Sequence, residues 1–206
     1  MAWLPRGWQG VCVYGLVNKA IQDLAVQLGG EPAWDDIRVR AGLHVEAFVG
    51  MGVYPDDLTY RLVEAASDVF GLPAAEVLRA FGRHWILYTG REGYGAVFET
   101  MGRTLPEFLQ NLDAMHSRLS LSMPELRPPS FVCEEVGDDQ IRVQYWTERD
   151  GLAPMVVGLL EGLGEHFNVQ VGVTHVLSRS AGHDHDEFIV RFLLRESVTG
   201  PRPTAA

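Results

Sequence analysis

The strongest constraint on this chain is a change of period at Met123. Before that residue, apolar side chains recur at three- and four-residue steps; after it, they alternate with polar ones. Three prolines, the outer two being Pro124 and Pro129, mark the junction and prevent a helix from running through it. Helices first and antiparallel strands later read as an α+β fold.

The helical part opens with Val13, Leu16, Val17, Ala20, Ile21, Leu24 and Leu28 on one stripe, ended by Gly29 and Gly30. Asp56 is expected to cap a second helix through Leu62, Val63, Ala66 and Phe70, which Gly71 closes. Pro73 opens a third, with Val77, Leu78, Phe81 and Trp85 on one side. An aromatic-rich turn is expected around Gly90, Gly93 and Gly95, then a helix from Pro106 to about Ser122. Beyond the prolines, residues 131–136 and 140–148 read as a hairpin, 154–167 as a helix, and 169–177 with 187–194 as a second hairpin.

The length of 206 residues suits one domain with room for a ligand. We expect a single unit over 1–206, with an N-terminal helical subdomain over 1–60, an α+β subdomain over 61–200 and a frayed tail over 200–206. Hydrophobic residues make up 47%, which excludes a disordered chain. The net charge of −10 argues against nucleic acid or an anionic membrane as partner, because their phosphates would repel it. Cys12 and Cys133 make neither a disulfide framework nor a CxxC pair, so a cysteine-rich zinc module is excluded. The uncharged run between Arg6 and Lys19 is too short to span a bilayer and has no cleavage pattern, so a soluble cytoplasmic protein is expected.

Two groups of residues could carry chemistry. His116 falls on a core-facing stripe rich in leucine and methionine, where an imidazole needs a partner. It reads either as a hydrogen-bonded core histidine or as a single axial ligand to a haem iron. Tyr145, Thr147 and Arg149 share one face if the strand continues that far, combining two hydroxyls with a guanidinium suited to carboxylates. The alternative is the wet face of a half-exposed strand.

With the segments YGLVNKAIQDL, FGRHW, LDAMHSRLSLSMPELRPPSF, YWTER and GLLEGLGEHF in this order, the chain resembles the H-NOX family from about Tyr14 to Leu194. These are haem nitric oxide/oxygen binding domains related to the haem domain of soluble guanylate cyclase. The resemblance implies an N-terminal helical part followed by a helix-packed four-stranded antiparallel sheet enclosing haem b. It places the proximal histidine at His116 and the propionate-binding Tyr-x-Ser-x-Arg motif at Tyr145, Thr147 and Arg149. Thr147 departs from the motif's serine but keeps the hydroxyl. The haem-distorting proline falls at Pro129, and Val13, Val17, Leu78, Phe81, Trp85, Met115 and Leu152 become expected pocket walls.

Oxygen-binding relatives place a distal tyrosine near the position of Pro154, and no tyrosine follows Arg149 here. Another distal position, tryptophan in oxygen binders, falls near Val17. The resemblance therefore implies a bacterial stand-alone type that binds NO and CO at ferrous haem without a stable oxygen complex. Tyr14, Tyr88, Tyr94 and His84 are the other side chains that could reach the pocket. NO would weaken the His116–iron bond and release strain imposed by Pro129, giving two states that a ligand can bias. The length leaves no room for an output domain, so the implied partner is a separate histidine kinase or cyclic-di-GMP enzyme, and the chain is not an enzyme.

The family's structural zinc is not expected: of the matching positions, at Ala153, His175, Ser178 and a residue near Asp186, only that of His175 keeps a ligand. His175, His183 and His185 could instead form a surface metal site, against the plainer reading of a polar turn. Cys133 reads as a small buried hydrophobe. Two rival functions are a non-haem small-molecule-binding domain that shares the second-half topology, and a haem peroxidase using His84 beside Arg83.

Overall fold

A computed structural model describes residues 12–44, 47–89, 95–123 and 125–193. The expected tail over 200–206, Leu194, Tyr94, Gly90 and Gly93 lie outside the described residues.

The chain begins with a short strand, β1 (Cys12–Tyr14), and passes straight into helix α1 (Gly15–Arg40). Strand β2 (Val53–Pro55) returns antiparallel to β1, with Val13 opposite Tyr54. The first N–H groups of α1 have no partner within the helix, and the loop supplies them: Gly15 and Leu16 donate to the carbonyls of Gly52 and Gly50 at 2.8 and 2.9 Å. The loop approaches so closely that a Cβ at residue 15 would overlap the Val49 carbonyl.

Helix α1 breaks at Gly30, whose φ of 72° no helix accommodates, as the paired glycines predict. It resumes at once and runs to Arg40, with Pro32 in the first turn of the new piece, where sequence reasoning had assigned nothing. Helix α2 (Asp56–Phe70) ends in the left-handed Gly71, φ 64°. Helix α3 (Ala74–Thr89) follows. The expected aromatic-rich turn is corrected after its first residues: Gly95 starts a short helix, α4 (Gly95–Met101), whose Phe98 packs edge-on against Phe108.

Helix α5 (Leu105–Ser122) is capped reciprocally. The Thr104 hydroxyl accepts the Glu107 N–H at 3.3 Å, and the Glu107 carboxylate accepts the Arg103 N–H at 2.7 Å. The second half comprises β3 (Ser130–Gly137), β4 (Gln140–Trp146), helix α6 (Ala153–His166), β5 (Gln170–Leu177) and β6 (Asp186–Leu193). The four strands form one antiparallel sheet in the order β3-β4-β6-β5. Alternation turns Ile141, Val143 and Tyr145, with Phe188 and Val190 opposite, onto the covered face.

Two apolar cores result. One joins Ile21, Ile37, Leu62, Leu78 and Phe81 of the first three helices. The other joins Leu105, Phe108 and Leu109 of α5, Val156 and Leu160 of α6, and the covered face of the sheet. The first core includes Tyr88 of α3, while Ile86 of the same helix belongs to the second. The cores meet where α3 crosses α6. Gly82 and Gly158 let the backbones touch there, since a Cβ on either would overlap a carbonyl of the other helix. Trp85 and Leu152 pack against both cores.

Candidate functional site

His116 sits on α5, and its ring lies 5.6 Å from that of Phe131 on β3. Phe131 in turn lies 5.2 Å from Tyr145 on β4, so three rings run from the helix into the sheet. The Asp113 carboxylate, one turn before His116, accepts from the Ser130 hydroxyl at 2.7 Å and the Phe131 N–H at 3.0 Å. These bonds tie the helix to the chain emerging from the prolines.

The imidazole Nδ1 of His116 is buried and has no hydrogen-bond partner. Burial lowers the pKa of the ring, against the opposing pull of the Asp113 carboxylate and the Pro129 carbonyl. The ring is therefore biased toward its neutral form, the form that ligates a metal. Of the two readings left open by the sequence, the Pro129 carbonyl beside the ring is compatible with a hydrogen-bonded core histidine, while the unpartnered Nδ1 leaves a nitrogen available to a ligand.

Tyr145 is almost fully buried, and burial raises its phenol pKa, partly countered by a hydrogen bond with the Thr147 side chain. One expectation is corrected here. Strand β4 ends at Trp146, so Tyr145, Thr147 and Arg149 do not share an alternating strand face. The chain bends after Trp146 because the Thr147 hydroxyl accepts the Arg149 N–H at 3.1 Å, closing a local turn.

That bend aims Arg149 at the first half of the molecule. Its Nε donates to Asp56 Oδ2 at 2.6 Å, and one Nη2 hydrogen reaches Asp56 Oδ1 at 3.4 Å. Nη2 also donates to the Cys12 carbonyl at 3.2 Å, and Nη1 to the Arg127 carbonyl at 2.6 Å. The surrounding loop is held as well. Tyr60 of α2 donates to the Asp150 carbonyl at 3.2 Å, and Arg179 donates to the Arg149 carbonyl at 3.0 Å.

Asp56, Tyr60 and Arg179 were missed as site residues. Asp56 was expected to cap α2; instead Pro55 is the capping residue, and the Asp56 carboxylate is spent on Arg149. An acidic residue at a helix start carries the same sequence signal in both roles, and Tyr60 and Arg179 carried no signal at all.

Among the expected walls, Val13, Val17, Trp85, Met115 and Leu152 keep partly exposed side chains, whereas Leu78 and Phe81 are sealed in the first core. Pro129 is half-buried beside the His116 ring, and Pro154 lies half-buried in the first turn of α6. Tyr14 and Tyr88 are buried, and His84 lies between Tyr88, at 5.7 Å ring to ring, and Asp23, 3.0 Å from its Nε2.

The suggested surface site of three histidines is not formed. His175 Nε2 meets Asp186 at 2.9 Å, while His185 stacks on Trp146 and meets Asp184 through Nδ1. Among the described residues, no three metal-ligating side chains converge. Cys133 behaves as a small hydrophobe, its thiol pushed up to about 12 by burial. Among the described residues, no helix is long and apolar enough to cross a membrane.

A model of the family described as haem-NO-binding matches residues 14–175. The chain belongs to this family of haem-binding gas sensors. Relatives include the soluble guanylate cyclase gcy-31 of Caenorhabditis elegans, 26% identical over 89% of this chain and 26% of that protein. Guanylate cyclase soluble subunit beta-2 of Rattus norvegicus is 37% identical over 61% of this chain and 19% of its own length. The chain thus spans about a quarter of the curated relatives it matches. The fold is that of an H-NOX protein from S. oneidensis solved in the Fe(II)NO ligation state: TM-score 0.80 at 18% identity, covering 88% of this chain and all of that one.

The residues present fit a haem unequally. An imidazole biased toward its neutral form, with Nδ1 unpartnered and half-buried apolar side chains around it, suits a metal ligand. A guanidinium at the far end of the ring row is the right group for a carboxylate, but its donors already have partners.

Proposed function

We propose that the chain is a haem-based sensor of nitric oxide and carbon monoxide, in which His116 would hold the iron of haem b. The observation that carries this reading is the His116 Nδ1, buried without a partner on a helix whose apolar face is only half covered. The haem supplies an iron that binds a diatomic gas; the side chains supply everything else.

His116 holds its ring in the neutral form because burial disfavours the imidazolium. Tyr145, Thr147 and Arg149 would hold the propionates, the arginine through its fork and the hydroxyls through neutral hydrogen bonds. Val13, Val17, Trp85, Met115 and Leu152 exclude water from the slot. Pro154 offers no hydrogen-bond donor where oxygen-binding relatives carry a phenol, so no stable oxygen complex is expected.

His116 would be the residue whose hold on the haem a bound gas changes, and α5 the helix that would respond. Two observations support such a coupling: Nδ1 has no hydrogen-bond partner, and Asp113 ties the helix that carries His116 to the start of β3. A shift of α5 would then be felt by the sheet and the proline segment. The reading continues to a sensor that is not itself an enzyme and acts on a separate protein, a histidine kinase or cyclic-di-GMP enzyme. Visible spectra of the reduced protein alone, under NO, under CO and in air test it. The expected result is a Soret band that moves with NO and CO but not with air. A colourless protein after expression with haem precursor would sink it.

A further inference from the structure

A guanidinium has five N–H groups, and Arg149 has committed four of them. The edge formed by Nε and Nη2 is taken by Asp56, and the second Nη2 hydrogen goes to Cys12. One Nη1 hydrogen goes to Arg127, so a single N–H of Nη1 remains for any further acceptor. A carboxylate that is gripped by both prongs of the fork needs two. The carboxylate that has them is an intramolecular one, 93 residues away in sequence and nearly fully buried.

Asp56 is not committed to Arg149 by any need of its own helix. Pro55 occupies the capping position of α2 and contributes no side-chain hydrogen bond, so the carboxylate is not required there as a cap. Its location does matter in another way. Asp56 and Cys12 belong to the first half of the molecule, and Arg127 to the proline segment that leads to Pro129 beside His116. One guanidinium therefore hydrogen-bonds three parts of the chain, of which β1 and the start of α2 are also held by the β1–β2 pairing.

We propose that Asp56 and a carboxylate of the bound ligand compete for Arg149, so that Asp56 is an internal stand-in for a propionate. The exchange couples occupancy of the slot to the docking of α2. The ligand class is a macrocycle or other small molecule bearing an aliphatic carboxylate, and the inference rests on the haem reading above. Before loading, the Asp56–Arg149 pair holds α2 against the loop over 147–150. Loading transfers the fork to the ligand and leaves α2 attached through Tyr60 and the first core. No bond other than hydrogen bonds and an ion pair changes in this step.

The test is a double-mutant cycle with Asp56→Asn and Arg149→Gln, read by thermal unfolding of the haem-free and the haem-loaded protein. The expected result is non-additivity in the haem-free protein that disappears on loading. Haemin titration of the Asp56→Asn variant gives the second readout. Removing the internal competitor should tighten binding by about threefold or more, since the competent state no longer has to be released from Asp56. Equal coupling in both states would make Asp56 a fixed positioning residue and overturn the proposal, as would weaker haemin binding by Asp56→Asn. A wild-type protein that takes up no haem would overturn the haem reading with it. A normal Soret band with state-independent coupling would overturn the competition alone.

Discussion

His116 and Arg149 stand at opposite ends of one row of side chains, joined through Phe131 and Tyr145, and they are partnered in opposite ways. The imidazole has a buried nitrogen with no partner; the guanidinium has four of its N–H groups engaged. The difference follows from where each group sits. His116 lies on a helix stripe of mostly apolar neighbours, and its Nδ1 finds no hydrogen-bond partner among them. A bend between secondary elements surrounds Arg149 with backbone carbonyls and an acidic helix start, which can. One end of the site keeps a nitrogen without a partner, and the other keeps a single N–H for any further acceptor.

The contrast can be broken first at the histidine. His116→Gly should remove the axial base, shifting or abolishing the Soret band of the reduced protein, with added imidazole restoring it. An unchanged band would mean that the partnerless nitrogen is incidental. Next in size is Arg149→Ala, which leaves the Asp56 carboxylate buried without a counter-charge. Urea unfolding of the haem-free protein should show a loss of roughly 3 kcal/mol, the usual cost of removing one member of a buried pair. Transfer of haem to a scavenger should also be faster. A loss near zero would show that the pair is screened by water.

The open end predicts a pH dependence. Burial lowers the His116 pKa in the fold, so the unfolded chain binds more protons than the native one at mildly acid pH. The contribution is present in full above the ordinary histidine value of about 6.5 and is lost as pH falls through it toward the lower native value. In the haem-free protein, stability measured from pH 7.5 down to 5 (about the range of histidine titration) should fall less steeply for His116→Leu than for wild type. Matching slopes would place the titrating groups elsewhere. The smallest effect belongs to the bend. Thr147→Ala should cost about 1 kcal/mol by removing the acceptor of the Arg149 N–H, while Thr147→Ser should be neutral. If serine and alanine behave alike, the hydroxyl does not hold the bend.

Much of this arrangement was legible in the chain. The α+β order, the sheet's four strands, the start of α5 near Pro106 and the break at Gly30 all follow from period, proline and glycine. So does the exceptional character of His116, because a polar residue on an apolar stripe stands out. Other features were not legible, for identifiable reasons. Strands of three residues, such as β1 and β2, are too short to show a period. The alternation Tyr145, Thr147, Arg149 looked like a strand face because a side-chain turn and a strand can share the same spacing. The histidines at 175, 183 and 185 looked clustered in sequence, but Asp186, Asp184 and the faces of Phe188 and Trp146 claim two of them separately.

The sequence by itself determined which residues could ligate and which could bind a carboxylate, because those properties belong to side-chain chemistry and local periodicity. Tertiary structure alone decided their state. It left the His116 Nδ1 without a hydrogen-bond partner, although the Asp113 carboxylate and the Pro129 carbonyl lie near the ring. It gave Arg149 to Asp56 by bringing the start of α2 against a bend 93 residues later in the chain. No pattern along a chain records which of several compatible partners will be nearest once the two cores have packed.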